Sequence, residues 1–349
     1  MISFLVFADL HYKKGMYAVS VQDLKQIMAR AAENHVDFVL HAGDFSNDYS
    51  GSPEIVKEYL KNEYDLSVYG VYGNHELESN HNSMEAVTPL LTNDRHVVWG
   101  TEDGSIQPGR IGYYWFEKKG CRIICADTNY SYNEKTQVWE HNHTASWGAP
   151  GENKYPDSLG PEQLKWLESV LMDAAERKIP CVLVSHAGFT HCWKHSPDAG
   201  AVQALIRKAN AVTPGTVRLC INGHYHTNHL EVQENVLYFD VNAAINGSWV
   251  PKKEQHYSAA HTFELESYDG QGNYLGGETV PLSKLWQSAN THYFEKPLSA
   301  IVTLGDDDTI KITGSETCWR YDVIPEDPLP GIMPLISNGR FWRKGRELT

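Results

Sequence analysis

Short apolar runs alternate with amphipathic segments over residues 1–225. Runs at 2–8, 36–41 and 66–72 are almost continuously apolar, which predicts strands buried on both faces. Residues 20–34 carry apolar side chains at helical spacing instead, and this predicts an amphipathic helix. The same two patterns predict further helices at 53–61, 83–91, 161–177 and 197–210, and further strands at 112–116, 121–127, 180–185 and 217–222. Such alternation indicates a largely parallel sheet with helices on its faces.

Beyond residue 229 the pattern changes to one that is typical of β structure. Strands are predicted at 229–233, 236–241, 261–266, 300–304 and 309–313. The stretch 267–298 is polar and rich in glycine, so we expect a loop or linker there. The segment after residue 325 is rich in proline and then basic, and we expect an irregular arm, with disorder as the alternative.

Composition and charge narrow the classes of partner. The chain has 349 residues and a formal net charge of −14, and so acidic a surface disfavours binding to nucleic acid. No apolar run approaches the ~20 residues that a membrane span requires, so no membrane partner is expected. The apolar run at 2–8 lacks the basic start of a secretory signal, and we expect all six cysteines to be thiols. A cytoplasmic protein is therefore expected, and its oligomeric state stays open.

Short polar motifs follow the apolar runs directly at five places in the chain. They are Asp9-Leu10-His11, Gly43-Asp44, Gly73-Asn74-His75-Glu76, Ser185-His186 and Gly223-His224-Tyr225-His226. Because ligands bind at the carboxyl ends of strands in open α/β sheets, these motifs are expected to meet at one edge. Carboxylate, imidazole and amide oxygen are donors that suit two divalent ions, and alternate residues of an extended Asp-x-His or His-x-His segment share one side.

In their order and spacing, the five motifs resemble those of the calcineurin-like metallophosphoesterases, and the resemblance covers roughly residues 1–250. It implies an α/β fold: a four-layer α-β-β-α sandwich of two packed mixed β-sheets with flanking helices. The pattern beyond residue 229 adds a C-terminal β-rich extension. We accordingly predict a catalytic domain at 1–266. A linker, the β-rich extension and an irregular arm packing on that domain would follow at 267–349.

The resemblance also assigns roles to the motif residues. It implies a first metal bound by Asp9, His11 and His226, a bridging Asp44, a second metal bound by Asn74, His186 and His224, and a catalytic His75 at the substrate. His75 would protonate the leaving oxygen or hold the phosphoryl group. Two divalent ions, Mn, Fe or Zn, would carry a bridging hydroxide for in-line attack on phosphorus.

Departures from two branches of the family bear on the substrate. The purple acid phosphatases carry a tyrosine, and the protein serine/threonine phosphatases an aspartate, three residues after the bridging aspartate, whereas this chain has Asn47. The layout looks more like the branch that acts on small molecules. We therefore expect a small phosphodiester or pyrophosphate as substrate. A phosphomonoesterase is one alternative, and a non-catalytic metal-binding scaffold is another.

Three more residues are candidates for the substrate pocket. His191 lies in the loop after His186, and Asn129 and Tyr12 would flank the edge that carries the motifs. The loop 140–147, with two histidines, is a candidate cap of the pocket. For each of these, ordinary packing or a surface loop is the alternative. We expect Glu76 to support the ligands instead of binding metal itself.

Overall fold

The protein is described here by a computed structural model, which covers residues 1–49, 51–76, 84–100, 112–133, 135, 137–141, 157–190, 196–227, 229–249, 260–286, 291–307, 309–315, 317, 320, 340–343 and 346–348. Its strands are β1 (Ile2–Phe7), β2 (Phe38–His41), β3 (Val68–Gly70), β4 (Val98–Trp99), β5 (Tyr114–Lys118), β6 (Cys121–Cys125), β7 (Tyr130–Asn133), β8 (Val138–His141), β9 (Cys181–Val184), β10 (Val217–Asn222), β11 (His229–Gln233), β12 (Val236–Asp240), β13 (Asn246–Trp249), β14 (Thr262–Tyr268), β15 (Tyr274–Pro281), β16 (Thr291–Tyr293), β17 (Ala300–Leu304), β18 (Thr309–Gly314), β19 (Arg340–Arg343) and β20 (Arg346–Leu348). Its helices are α1 (Val21–Glu33), α2 (Pro53–Leu60), α3 (Met84–Val87), α4 (Gly160–Glu176) and α5 (Ala199–Val212), with 3-10 turns at Thr88–Leu90 and Leu282–Lys284.

Most strands belong to two mixed sheets of seven strands each. The first sheet has the order β20-β19-β18-β17-β1-β2-β3, in which β1, β2 and β3 run parallel and β17 lies antiparallel to β1. The second sheet has the order β11-β12-β10-β9-β6-β5-β4, with a parallel centre formed by β12, β10, β9 and β6. Parallel neighbours bring their carboxyl ends to the same edge of a sheet, which places the motifs of each sheet together.

Alternation of side chains along the second sheet shows how the layers are stacked. On β9, Val182 and Val184 join the large apolar core that also contains the first sheet, while Cys181 and Leu183 face the core under α4 and α5. Successive side chains of a strand point to opposite faces, so the second sheet is buried on both. Helices α1 and α2 cover the other face of the first sheet. The predicted α-β-β-α sandwich is confirmed.

Helix α1 shows how local sequence sets an element. Ser20 caps its first turn and forms a capping box with Asp23, in which each side chain bonds to the backbone N–H of the other residue. The predicted helix at 20–34 therefore begins and ends within one residue of the observed one. Among the described residues, no helix combines the length and the apolar character needed to cross a bilayer.

The chain after residue 266 contributes to the first sheet. Strand β17 pairs with β1 along its whole length, with Leu5 opposite Ile301, and β18 pairs with β17 as the predicted strands at 300–304 and 309–313 require. The loop expected at 267–298 is wrong in part, because β15 forms a hairpin with β14. Strand β15 is mostly exposed and lacks the apolar face by which a strand is recognised in sequence. The tail adds β19 and β20 to the sheet edge, and the division at residue 266 stays a prediction.

Candidate metal centre

The five motifs come from both sheets and meet in one place. Asp9 and His11 follow β1, Asp44 follows β2, and Asn74 and His75 follow β3 of the first sheet. His186 follows β9, and His224 and His226 follow β10 of the second sheet. These side chains form three overlapping groups whose ligand atoms all lie within 4.8 Å of one another: Asp9, His11 and His226; His11, Asp44 and His75; Asp44, His186 and His224.

The backbone at these positions is turned sharply instead of being extended. Five of the motif residues have left-handed φ values between +49° and +72°: Asp9, His11, Asp44, His224 and His226. The expectation that Asp-x-His and His-x-His are extended is therefore wrong, and the pairs converge through turns. A left-handed conformation costs roughly 1–3 kcal/mol at a non-glycine residue and persists where the surroundings enforce it, most often at functional sites.

Hydrogen bonds between the strand ends lock these turns together. The Asp9 N–H donates to the Gly43 carbonyl at 3.0 Å, and the His11 N–H donates to the Asp44 carbonyl at 2.8 Å. The His224 N–H donates to the Asp9 carboxylate at 2.9 Å, which joins the second sheet to the first. At Gly43, φ is +91° and a Cβ atom would overlap the His186 ring, so glycine is required twice over.

One group of ligand atoms surrounds His11. Its Nε2 lies 3.1 Å from His226 Nε2 and 3.9 Å from Asp9 Oδ1, and His226 Nε2 lies 3.4 Å from Asp9 Oδ1. The other ring nitrogen of His11, Nδ1, donates to Asn47 Oδ1 at 2.8 Å. Because an amide oxygen only accepts, this bond places the proton on Nδ1 and leaves a lone pair on Nε2. Three potential ligand atoms thus face one another: His11 Nε2, His226 Nε2 and Asp9 Oδ1.

A second group surrounds His186. Its Nδ1 donates to the Ala42 carbonyl at 2.8 Å, so Nε2 is the ring nitrogen that can bind a metal in place of its proton. That Nε2 lies 3.1 Å from Asp44 Oδ2, 3.1 Å from Asn74 Oδ1 and 3.2 Å from His224 Nδ1. Asp44 Oδ2 is also 3.6 Å from His11 Nε2 and therefore stands between the two groups.

The donor sets fit divalent cations. Buried acceptor atoms at about 3 Å repel one another unless a positive charge lies among them. Burial lowers the pKa of His186, but the adjacent Asp44 carboxylate outweighs burial and raises that pKa to about 10. Burial lowers the pKa of His11 to about 3, so this ring stays neutral and able to bind metal. Oxygen and imidazole donors without a thiolate suit Mn, Fe or Zn.

Glu76 supports the ligand loops from below. Its buried carboxylate accepts hydrogen bonds from the N–H groups of Asp44 at 3.0 Å, Ser46 at 3.1 Å and Gly73. Burial, together with the Asp44 charge, raises the pKa of Glu76 to about 8, and the bonds from Ser46 and Gly73 oppose this rise. Glu76 thus holds two strand-end turns of the first sheet in register.

His75 lies at the edge of the ligand groups. Its N–H donates to Asp44 Oδ1 at 2.9 Å, and its ring packs edge-on against the His11 ring with centroids 4.7 Å apart. His75 Nε2 lies 3.9 Å from Asp44 Oδ2. The position of the ring is therefore coupled, through Asp44, to both groups of ligand atoms.

The other sequence candidates are placed differently. Tyr12 is buried, and its hydroxyl donates to Glu54 Oε1 at 2.7 Å near the start of α2, so it does not face an open pocket. Burial, followed by that carboxylate, raises the pKa of Tyr12. Asn129 is buried as well, and its amide group is bound within the protein. His191 lies outside the described residues.

Sequence reasoning missed a buried carboxylate beside the site. Asp127 is fully buried, and its Oδ2 accepts a hydrogen bond from His141 Nε2 at 2.7 Å. A signal was available, because Asp127 follows the apolar run of β6 as the ligand motifs follow their strands. The loop 140–147 was a candidate cap of the pocket, but His141 is the last residue of β8 and its side chain is buried. Most of the loop lies outside the described residues.

Comparison with known proteins identifies the family of the chain. No curated protein sequence matches the chain. A dimetal phosphatase from Danio rerio superposes with a TM-score of 0.55 at 15% identity, covering 91% of this chain and 98% of that protein. A phosphatase from Mycoplasma pneumoniae gives a TM-score of 0.42 at 14% identity over 91% and 93% of the two chains. The model of the calcineurin-like phosphoesterase family matches residues 2–228. The chain belongs to this family and is a metal-dependent phosphoric ester hydrolase.

Proposed function

We propose that the protein hydrolyses small phosphodiesters or pyrophosphates at a centre of two divalent metal ions. The observation that carries this proposal is the position of Asp44, whose Oδ2 lies 3.6 Å from His11 Nε2 and 3.1 Å from His186 Nε2. One carboxylate oxygen thus reaches both groups of ligand atoms, as a bridging ligand must. The family membership supports metal chemistry without fixing the number of ions or the bond cleaved.

The proposed ligands follow from the two groups. The first ion would be held by Asp9, His11, Asp44 and His226, and the second by Asp44, Asn74, His186 and His224. When bound, two such ions lower the pKa of a water nucleophile and neutralise charge on the phosphoryl oxygens. The protein fixes the metal-binding atoms through the left-handed turns and through the hydrogen bonds that His11 donates to Asn47 and His186 donates to Ala42, so they need little rearrangement on binding.

His75 is the proposed catalytic residue. Its backbone is anchored to Asp44 Oδ1 and its ring lies against His11, so Nε2 is held beside both groups of ligand atoms. From this position Nε2 donates a proton or a hydrogen bond to the oxygen that leaves phosphorus. General acids of this kind contribute about 10²–10⁴-fold to the rate. No side chain is required as a covalent nucleophile.

Charge supports a diester over a monoester. The chain carries a formal net charge of −14, and an acidic protein repels a singly charged diester less than a doubly charged monoester. Asn47, which stands where the protein phosphatases have an aspartate, is bonded to His11 and leaves His75 without that carboxylate. The same net charge disfavours nucleic acid as substrate.

The test compares bis(4-nitrophenyl) phosphate with 4-nitrophenyl phosphate on metal-stripped protein to which Mn²⁺ is returned. We expect turnover to depend on Mn²⁺ and kcat/KM to be higher for the diester. A higher kcat/KM for the monoester would overturn the diester proposal and make the protein a phosphomonoesterase. Two bound Mn²⁺ ions without turnover of either ester, or of a dinucleoside pyrophosphate, would overturn the catalytic proposal.

A cytoplasmic location is proposed as well. Cys121, Cys125, Cys181 and Cys220 are buried free thiols, and thiols persist in a reducing compartment. Fractionation of cells that express the natural protein tests this, and recovery in the secreted fraction would contradict it.

A further inference from the structure

Asp127 and His141 form a buried acid–imidazole pair that the proposed metal chemistry does not use. Asp127 has no exposed surface, and the His141 side chain is 6% exposed. Because a carboxylate only accepts, His141 Nε2–H donates to Asp127 Oδ2, at 2.7 Å. The other oxygen, Oδ1, accepts from Asn129 twice, from its backbone N–H at 3.0 Å and from its side-chain Nδ2 at 2.9 Å. The carboxylate is thereby fixed from both sides.

The pair is connected to the loop that carries Asn74 and His75. Asn129 Nδ2 has a second hydrogen, and it donates to the Tyr72 carbonyl at 3.3 Å. Tyr72 O and the Gly73 N–H belong to one peptide unit, and that N–H donates to the Glu76 carboxylate. A peptide unit is planar, so bonds to its oxygen on one side and its nitrogen on the other fix its orientation. This unit leads directly into Asn74.

We propose that Asn129, held by Asp127 and His141, is a positioning residue for the loop that presents Asn74 to metal and His75 to substrate. The inference rests on the proposed function of that loop. Asn129 and Glu76 hold the Tyr72–Gly73 peptide from opposite ends. Asn74 follows Gly73 directly, and its Oδ1 lies 3.1 Å from His186 Nε2. A rotation of this peptide therefore displaces both side chains. The arrangement also ties β8, which ends at His141, to the metal centre.

A matched pair of variants separates positioning from general stability. Asn129→Ala removes the donor to Tyr72 O. Asn62→Ala is the control, since Asn62 is also buried and its Nδ2 donates to the carbonyls of Tyr59 and Leu66 at the far end of β3. Asn129→Ser is a second variant, because its single hydroxyl hydrogen retains a bond to Asp127 while Tyr72 O loses its partner.

Titration of the metal-stripped proteins with Mn²⁺ in a calorimeter is the first readout. We expect one of two equivalents to bind about tenfold more weakly in Asn129→Ala and Asn129→Ser, at the lower end of the 10–100-fold range for groups that orient metal ligands. Asn62→Ala should bind as the wild type does. Isotherms that are the same for the Asn129 variants and for Asn62→Ala would overturn the inference, whether or not any variant is active.

Dependence on the leaving group is the second readout. Phenolate needs protonation more than 4-nitrophenolate does, so Asn129→Ala should lower kcat for diphenyl phosphate about tenfold, part of the 10²–10⁴-fold that a general acid supplies. The kcat for bis(4-nitrophenyl) phosphate should fall less. When His75→Asn is already present, adding Asn129→Ala should not lower kcat for diphenyl phosphate any further. Equal losses on both esters, or additive losses in the double variant, would overturn the inference. If the Asn129 variants bound Mn²⁺ more weakly than the wild type but the wild type cleaved neither ester, only the proposed function would be refuted.

Discussion

The two sheets contribute different chemistry to the metal centre. The strand ends of the first sheet supply both carboxylates, Asp9 and Asp44, whereas those of the second sheet supply imidazoles: His186, His224 and His226. The carboxylates thus lie on one side of the interface, and imidazole nitrogens lie on the other. A cation between them is attracted by one sheet and coordinated by both. The comparison suggests that metal binding and the packing of the sheets stabilise each other.

The two sides also differ in how they are held. Ligands of the first sheet are fixed within that sheet, through the bonds from Asp9 to Gly43 and from His11 to Asp44. The ring of His186 is fixed across the interface by the Ala42 carbonyl, and the His224 N–H by the Asp9 carboxylate. The first sheet therefore acts as the template: its ligands are fixed by its own backbone, and the ligands of the second sheet are positioned by hydrogen bonds to it.

The largest effect is expected from Asp44→Asn. Loss of the bridging charge should abolish most metal binding and lower kcat/KM by about 10³-fold or more, since metal activation supplies several kcal/mol and 1.36 kcal/mol is tenfold. His186→Asn, the counterpart on the second sheet, removes a ligand that is neutral when metal is bound, and should retain part of the bound metal. Metal analysis and steady-state kinetics measure both variants. Two tightly held ions in Asp44→Asn, or a greater loss in His186→Asn, would break the comparison.

His75→Asn should lower kcat by about 10²-fold, within the range for loss of a general acid. Both metals should remain bound, because the proposed ligands are untouched. The deficit should be greater for diphenyl phosphate than for bis(4-nitrophenyl) phosphate. Full activity of this variant on diphenyl phosphate would refute the catalytic role.

The sequence predicted the centre of the molecule better than its periphery. Strands β1, β2, β9 and β10 were recognised because they are apolar runs, and the motifs follow them within a few residues. Their parallel order then places the motifs at one edge without further information. Strand β15 of the β14–β15 hairpin was missed because its exposed residues, including Gly276 and Gly277, form no apolar face.

Roles that depend on side-chain direction were beyond the sequence. Asn47 was identified by its spacing from Asp44, but whether it would contact His75 or His11 depended on the left-handed turns at His11 and Asp44. After the turn at His11, the Tyr12 side chain extends toward Glu54 instead of toward the pocket. Left-handed φ at aspartate and histidine has no pattern in the sequence, because these conformations are imposed by bonds between strands that are distant in the chain.

Metal removal tests whether the ions join the sheets. With free Mn²⁺ at one hundred times its Kd, each bound ion should stabilise the folded state by about 2.7 kcal/mol relative to the stripped protein. Thermal unfolding with a chelator and with graded Mn²⁺ measures this difference. The Tm of Asp44→Asn should change little with Mn²⁺. If the Tm of the wild type did not change with Mn²⁺, metal binding would not stabilise the packing of the sheets.

The smallest effect is expected from Asn47→Ala, which acts on the template side alone. Without the bond to Asn47 Oδ1, the His11 ring is free to rotate or to place its proton on Nε2, and we expect metal affinity to fall about 10–100-fold. Asn47→Asp keeps an acceptor for His11 Nδ1–H and should retain affinity, which separates the loss of orientation from the loss of the side chain. Calorimetric titration with Mn²⁺ measures both variants. If Asn47→Ala bound both ions as the wild type does, His11 would be held by the metal and its ligand neighbours, and the first sheet would not be the template.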